Sequence, residues 1–401
     1  MAELGVLAVV VLAYGLVSRR LQSSSVTAPM AFVLAGVLVG PELLGIASVD
    51  IVGGPALVLA ELALALVLFS DAAQIDFATF RARRNLPSRL LGIGMPLTIA
   101  AGVAAAALLL TEIEFWEAAI VAAVLAPTDA ALGRTVIADR RVPERVRNGL
   151  NVESGLNDGL SVPVLTLFVA LAVQEADLAA ADWAVFAAEQ IGLGALVGAA
   201  VGAAGAWLLD RAITRDLTAP AFQPLTLLAL AVLAFLAADA VGGNGFIAAF
   251  VGGLAAGRFA GDHAAALLDF LDDEGQLFSL AVFFLFGVAA LGLLDAATWQ
   301  VALFALLSLT LLRMGPVAVA LAGSGLDRRS VAFVGWFGPR GLASIVLALT
   351  VAEEQPGLPA LDVVLAAATL TILASVVAHG LTASPLTAAY TRARARRRSD
   401  G

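Results

Sequence analysis

Long apolar runs separated by short polar segments make up most of this chain. Thirteen runs are long enough to predict helices that lie in a membrane. They lie near 2–17, 28–44, 55–75, 90–110, 115–137, 146–173, 183–209, 223–241, 244–259, 277–294, 299–322, 331–351 and 361–387. In lipid only helices and closed barrels satisfy the backbone polar groups, and continuous apolar runs indicate helices. We therefore predict an all-α polytopic membrane protein with about thirteen transmembrane helices.

Composition supports this prediction and excludes several other classes of protein. Of the 401 residues 61% are hydrophobic, against about 45–50% in ordinary soluble domains, and the mean hydropathy is +0.96. The absence of cysteine excludes disulfides, thiolate metal sites and cysteine nucleophiles. The net charge of −9 argues against a nucleic-acid partner. No cofactor is predicted.

The positions of the arginines predict how the chain is oriented. Arginine follows every odd-numbered run except the ninth, as at Arg19, Arg145 and Arg328, and Arg258 lies at the end of the ninth run. The polar segments after the even-numbered runs contain no arginine. Cytoplasmic loops carry the basic residues of membrane proteins. We therefore predict a multi-pass protein of the cell membrane, with its N-terminus outside and residues 388–401 as a short basic cytoplasmic tail.

An odd number of spans predicts an internal inverted repeat. If span 7, near 183–209, is a connecting helix, then residues 1–175 and 220–387 form two six-helix repeats that enter the membrane from opposite sides, which is a transporter architecture. The fifth span of each repeat contains a proline, within Ala126–Asp129 and within Phe337–Gly341. Proline removes a helical donor, so we predict that spans 5 and 12 are broken near mid-membrane. A simple kink is the alternative.

Several ionisable residues lie within predicted spans, where charge is costly and usually functional. We interpret Glu153 and Arg313 as a buried ion pair, and Arg340 as a charge that compensates the broken helices. Three further acids within the spans are candidates for binding an ion or a proton, namely Asp71, Asp129 and Asp158.

Span 6 presents two neighbouring polar edges. Glu153 and Asn157 share one edge of the helix, and Ser154 and Asp158 share the adjacent edge, because residues four apart lie above one another. Oxygen ligands suit hard cations. Ser154 and Asp158 are therefore candidate ligands of a cation.

At this point the sequence resembles the NhaP-type sodium/proton antiporters of the monovalent cation:proton antiporter superfamily. The resemblance covers nearly the whole chain and rests on five segments, namely Ala126–Asp129, Asn151–Gly159, Gly243–Ala248, Gly338–Leu342 and His379–Thr382. It implies a six-helix core with two crossed, broken helices, and a second helix layer that forms a homodimer interface.

The resemblance also implies roles for particular residues. Asp158 matches the carboxylate that carries the ion and the proton, with Thr128, Asp129 and Ser154 assisting it. A monovalent cation is expected at Asp158, Ser154 and Thr128. Asn157 is also expected among the residues that bind the ion or the proton. It stands where electrogenic relatives have a second aspartate, which implies electroneutral one-for-one exchange.

The implied activity is exchange of Na⁺, or of Li⁺ or K⁺, for H⁺ by alternating access, in the service of pH homeostasis. The family's buried glutamate–arginine pair maps onto Glu153 and Arg313. Asp71 lies in a segment that departs from the family's usual pattern, so its role as a ligand is the least supported.

Two rival functions start from the same residues. A cation channel can line its pore with such oxygen ligands, although the inverted halves favour a carrier. An intramembrane aspartyl protease needs two aspartates that share a proton. Neither Asp129 nor Asp158 has the Gly-x-Gly-Asp context of those enzymes, so we expect a transporter and not an enzyme. Its expected partners are membrane lipid, monovalent cations, protons and a second copy of the chain.

Overall fold

The computed structural model describes residues 2–21, 25–75, 85–129, 132–133, 136–137, 139–174, 180–259 and 264–399. All regular structure in this part of the chain is helical, which confirms the predicted all-α class. The helices are α1 Ala2–Leu21, α2 Ala28–Val39, α3 Gly54–Ala73, α4 Asn85–Leu109, α5 Phe115–Val124, α6 Glu144–Gln174, α7 Ala180–Thr214, α8 Gln223–Asp239, α9 Gly245–Phe259, α10 Ala264–Ala289, α11 Trp299–Ala320, α12 Arg328–Trp336, α13 Leu342–Glu354 and α14 Leu361–Ser399. A π-helical turn lies within α4 at Leu90–Gly94.

Eight of these helices are long and apolar enough to cross a membrane, and three shorter apolar helices accompany them in the described residues. The eight are α1, α3, α4, α6, α7, α8, α11 and α14. Each of the thirteen predicted runs contains at least one helix. The number of membrane crossings stays a prediction.

Two helices extend well beyond the predicted runs, α10 by 13 residues at its start (277 − 264) and α14 by 12 at its end (399 − 387). Helix α10 begins at Ala264 rather than near 277, because Leu267, Leu268 and Leu271 follow helical spacing and are buried in an apolar cluster. The acids among these leucines conceal the apolar pattern in the sequence. Helix α14 continues through the predicted basic tail as far as Ser399.

The chain divides into two compact units, each built from discontinuous pieces. One comprises Met1–Leu57, Arg83–Asn157 and Leu280–Gly401, and the other comprises Val58–Ala82 and Asp158–Ser279. These units are defined by packing, whereas the two predicted repeats, 1–175 and 220–387, are defined by the order of the spans in the chain. The repeats stay a prediction.

Glycines allow α7 and α9 to approach closely within the second unit. A Cβ atom at Gly194, Gly198 or Gly202 of α7 would overlap the backbone of Asn244, Ala248 or Gly252, respectively. Small residues at four-residue spacing let helix backbones touch in membranes. The stripe therefore fixes how these two helices pack.

Both predicted breaks are present in the first unit. Helix α5 ends at Val124, and the chain leaves helical geometry through Asp129. Helix α12 ends at Trp336, and α13 begins at Leu342. Helix α6 runs beside the first break without interruption over 31 residues, and it contains Pro163.

We predict that Gly202→Leu destabilises the protein, whereas Gly192→Leu on the same helix does not. Leucine at 202 would overlap the backbone of Gly252, while nothing lies within 4 Å of a Cβ atom at 192. Overpacking costs about 1–3 kcal/mol, whereas leucine at an open helical position is favoured over glycine. The measurement is the melting temperature of each purified variant in detergent, and equal melting temperatures would contradict the proposed packing.

Candidate functional site

The two breaks lie directly against each other. The backbone N–H of Asp129, in the first break, donates a hydrogen bond to the carbonyl oxygen of Pro339 in the second, at 2.8 Å. This bond joins residues that are 210 positions apart in the chain, by subtraction of their numbers. The interrupted spans therefore cross at their unwound segments.

Asp129 places its carboxylate at a helix N-terminus. Its Oδ2 accepts a hydrogen bond from the backbone N–H of Leu342, the first residue of α13, at 2.9 Å, and its Oδ1 accepts one from Leu132 N–H at 3.2 Å. The first N–H groups of a helix have no partner within the helix, and their dipoles favour negative charge. Asp129 thus satisfies one backbone donor of the second break, at Leu342, and one of its own segment, at Leu132.

Arg340, in the second break, donates hydrogen bonds to backbone carbonyls of the first break. Its side chain is fully buried, and Nη1 donates to the carbonyl oxygens of Ala126 and Pro127 at 3.0 and 2.9 Å. These carbonyls follow the C-terminal end of α5, where the helix dipole favours positive charge. The structure therefore brings Arg340 to backbone oxygens of the opposite break, while its own N–H donates to Ser375 Oγ at 2.6 Å.

Three polar side chains form a buried network where α6 passes the first break. Thr128 Oγ1 lies 3.1 Å from Ser154 Oγ, and Asn157 Nδ2 donates to Thr128 Oγ1 at 2.7 Å. Asn157 Oδ1 accepts from the Thr128 backbone N–H at 3.3 Å. The oxygen and the nitrogen of the Asn157 amide thus both form hydrogen bonds with Thr128. The structure gives Asn157 a positioning role that the sequence did not indicate.

Asp158 follows this network directly in α6. It is 7% exposed, and its backbone carbonyl accepts a hydrogen bond from Ser161 Oγ at 2.8 Å. The next residue, Gly159, has no room for a side chain because the ring of Phe250 occupies that space. Asp71 lies in the last turn of α3 and is half-buried, and its role as a ligand stays a prediction.

Glu153 and Arg313 meet in a buried ion pair. Glu153 Oε1 lies 2.6 Å from Arg313 Nη2, and each side chain is 2% exposed. The guanidinium also lies against Gly338, where an added Cβ would overlap it. The pair therefore links α6 to α11, and its guanidinium packs against the second break at Gly338.

Two other buried polar residues were not recognised from the sequence. Glu117 is 2% exposed, and its carboxylate accepts from Glu114 N–H at 2.8 Å and from Ala360 N–H at 3.1 Å. Its spacing from Glu114 is that of a capping box, which is the signal that identifies it. Ser375 accepts from Arg340 N–H and lies 3.1 Å from His379 Nδ1, and no sequence pattern indicates this role.

A helical membrane protein whose interrupted spans meet beside buried ionisable residues has the architecture of a secondary transporter. The family model described as "Sodium/hydrogen exchanger, transmembrane" matches residues 6–389. The chain belongs to this family, and the resemblance to NhaP-type antiporters is confirmed.

Curated relatives carry matching names. The chain is 28% identical over 332 residues to the K(+)/H(+) antiporter NhaP2 of Shewanella sp. (strain ANA-3), a match that covers 81% of this chain and 56% of the relative. It is 27% identical over 375 residues to the K(+)/H(+) antiporter NhaP of Alkalimonas amylolytica, covering 91% of this chain and 63% of that one. The chain therefore spans less than two thirds of the length of either relative.

The fold is also similar to a solved structure. The sodium proton antiporter MjNhaP1 from Methanocaldococcus jannaschii superposes with a TM-score of 0.76, over 94% of this chain and 98% of that one, at 21% sequence identity. This likeness supports the helical architecture described above.

We predict that removing either partner of the Glu153 and Arg313 pair is strongly destabilising. Glu153→Met or Arg313→Met leaves the other charge buried without compensation, at a cost of about 3–5 kcal/mol. The double variant restores much of that stability because no isolated charge remains. Melting temperatures of the two single variants and the double variant test this, and a double variant as unstable as the sum of the singles would show that the pair is not coupled.

We predict graded effects at Asp129. Asp129→Ala removes both helix-capping acceptors, whereas Asp129→Asn keeps one carbonyl oxygen. At about 1 kcal/mol for each lost cap, the alanine variant should lose roughly 2 kcal/mol of stability and the asparagine variant about half of that. The readout is the melting temperature. If both variants melt like the native protein, the carboxylate does not cap these N–H groups.

Proposed function

We propose that this protein exchanges a monovalent cation for protons across the membrane by alternating access, with Asp158 holding either the cation or a proton. The observation that carries the proposal is the buried network of Thr128, Ser154 and Asn157 at the first break, which is followed directly by the buried carboxylate of Asp158. Family membership and the names of the relatives support it.

The coupling follows from the cost of burying a bare charge. A carboxylate in an apolar interior is tolerated only when it is protonated or paired with a cation. If one carboxylate alternates between these two loaded forms and does not change access when empty, each cation that crosses in one direction requires a proton in the other. Asn157 cannot hold a second proton as an aspartate would, which supports one proton per cation.

The chemistry of the proposed ligands indicates the class of cation. Hydroxyl and carboxylate oxygens, here from Thr128, Ser154 and Asp158, suit hard cations. The relatives are named for K⁺ and the similar solved structure for sodium. We propose Na⁺ as the transported cation, with K⁺ and Li⁺ as the alternatives to be compared with it.

We also propose that the protein works as a homodimer in the cell membrane, with its N-terminus outside and its C-terminus in the cytoplasm. The orientation is supported by basic residues at span ends of one parity, such as Arg19, Arg145 and Arg328. The family resemblance supports the dimer.

We predict that Asp158→Asn abolishes exchange without unfolding the protein, because the amide keeps the shape of the side chain and loses its titrating charge. The matched control is Asp239→Asn, which makes the same change at an exposed position at the end of α8. The assay follows the internal pH of proteoliposomes after addition of Na⁺, K⁺ or Li⁺, with melting temperature as the test of folding.

The native and control proteins should give saturable alkalinisation or acidification that follows the imposed gradient. The Asp158→Asn protein should match empty liposomes. Retained proton-coupled flux in that variant would exclude Asp158 as the carrier group, and native flux that rises without saturation would indicate a channel.

A further inference from the structure

A cavity of about 370 Å³ lies where the start of α6, the start of α12 and the end of α14 come together in the first unit. Its size falls within the range of ligand pockets, about 300–1,000 Å³. None of Thr128, Ser154 and Asn157 lines it. The cavity is therefore a feature separate from that network.

The charged groups that line the cavity are mostly positive. Arg145, Arg329 and Arg394 come from α6, α12 and α14, respectively, and Asp327 is the one acid among the lining residues. Asp327 Oδ1 accepts a hydrogen bond from Ser330 N–H at 3.1 Å, so this carboxylate caps α12. The formal charges sum to +2, from three arginines and one aspartate.

The walls of the cavity are held together by contacts of the protein itself. Tyr390 stacks on Phe333 with ring centroids 4.3 Å apart, and its hydroxyl lies 2.7 Å from Ser330 Oγ. Arg145 Nη2 donates to the carbonyl oxygen of Ser324 at 2.7 Å, which orients that guanidinium. These contacts fix the positions of Tyr390, Ser330 and Arg145 around the cavity.

Arginines from three helices around one cavity suit a particular chemistry. The planar guanidinium matches phosphate oxygens in paired hydrogen bonds, and it is the side chain that proteins favour for phosphate recognition. Ser330 and Tyr390 add hydroxyl groups to the lining. Helices α6 and α14 are long and apolar enough to cross a membrane, and Arg145 and Arg394 lie at the ends of these spans, where basic pockets bind anionic headgroups.

We propose that this cavity binds a phosphate-bearing anion, which bridges the ends of α6, α12 and α14. The phosphate belongs either to the headgroup of an anionic lipid or to a free soluble anion. Binding is measured directly, so the proposal stands or falls independently of transport activity.

The test compares two double variants of the full chain. Arg329→Ala with Arg394→Ala removes two exposed arginines that line the cavity. Arg328→Ala with Arg392→Ala removes two arginines from the same two helices that are also exposed but do not line it. The probes are short-chain phosphatidylglycerol against phosphatidylcholine, and inorganic phosphate against chloride at constant ionic strength. The readouts are melting temperature and native mass spectrometry in a nonionic detergent.

At least one of the two probes should raise the melting temperature of the native protein. The affinity for that probe should fall about tenfold or more in the cavity variant, since each arginine near an anionic surface contributes about fivefold. In the control variant it should stay within about twofold of the native value.

A response to phosphatidylglycerol but not to phosphate would identify the ligand as a lipid headgroup. A response to phosphate but not to phosphatidylglycerol would identify it as a soluble anion. No response to either probe, or equal loss in both double variants, would overturn the proposal. The single variants Arg394→Gln and Arg392→Gln repeat the comparison if a double variant fails to fold.

Discussion

Two helices that unwind inside a membrane expose backbone groups that lipid cannot satisfy, and the rest of this structure depends on how that cost is met. Asp129 of the first break accepts from the N–H of Leu342 at the start of α13, and Arg340 of the second break donates to two carbonyl oxygens just after the end of α5. Each break therefore supplies the charge that the other needs. Neither broken span can satisfy its exposed backbone hydrogen-bonding groups alone, which explains why the two cross.

The polar network depends on this crossing. Thr128 belongs to the unwound segment, and it is held from α6 by Ser154 and by both ends of the Asn157 amide. The position of α6 is fixed in turn by Glu153, one residue earlier, through its ion pair with Arg313. This ion pair thus fixes α6 next to the residues that we propose to bind the cation.

The sequence predicts the elements better than the contacts among them. Prolines at 127 and 339 locate both breaks, because a missing N–H is a local property of the chain. The partners of Arg340 are backbone carbonyls, which have no signature in the sequence, so the sequence indicated a compensating charge but not the groups that it contacts. The start of α10 was missed because acids that alternate with buried leucines lower the mean hydropathy of a real helix.

The crossing contains two positive and two negative side chains, Arg313 and Arg340 with Glu153 and Asp129, so its formal charge is zero. Moving one elementary charge through a membrane potential of 100 mV involves about 2.3 kcal/mol. When a group of side chains with zero net charge moves, the membrane potential does almost no work on it. In the mechanism that we propose, the voltage therefore acts on the charge of Asp158 and of the ion that it holds, and these four side chains contribute no net gating charge.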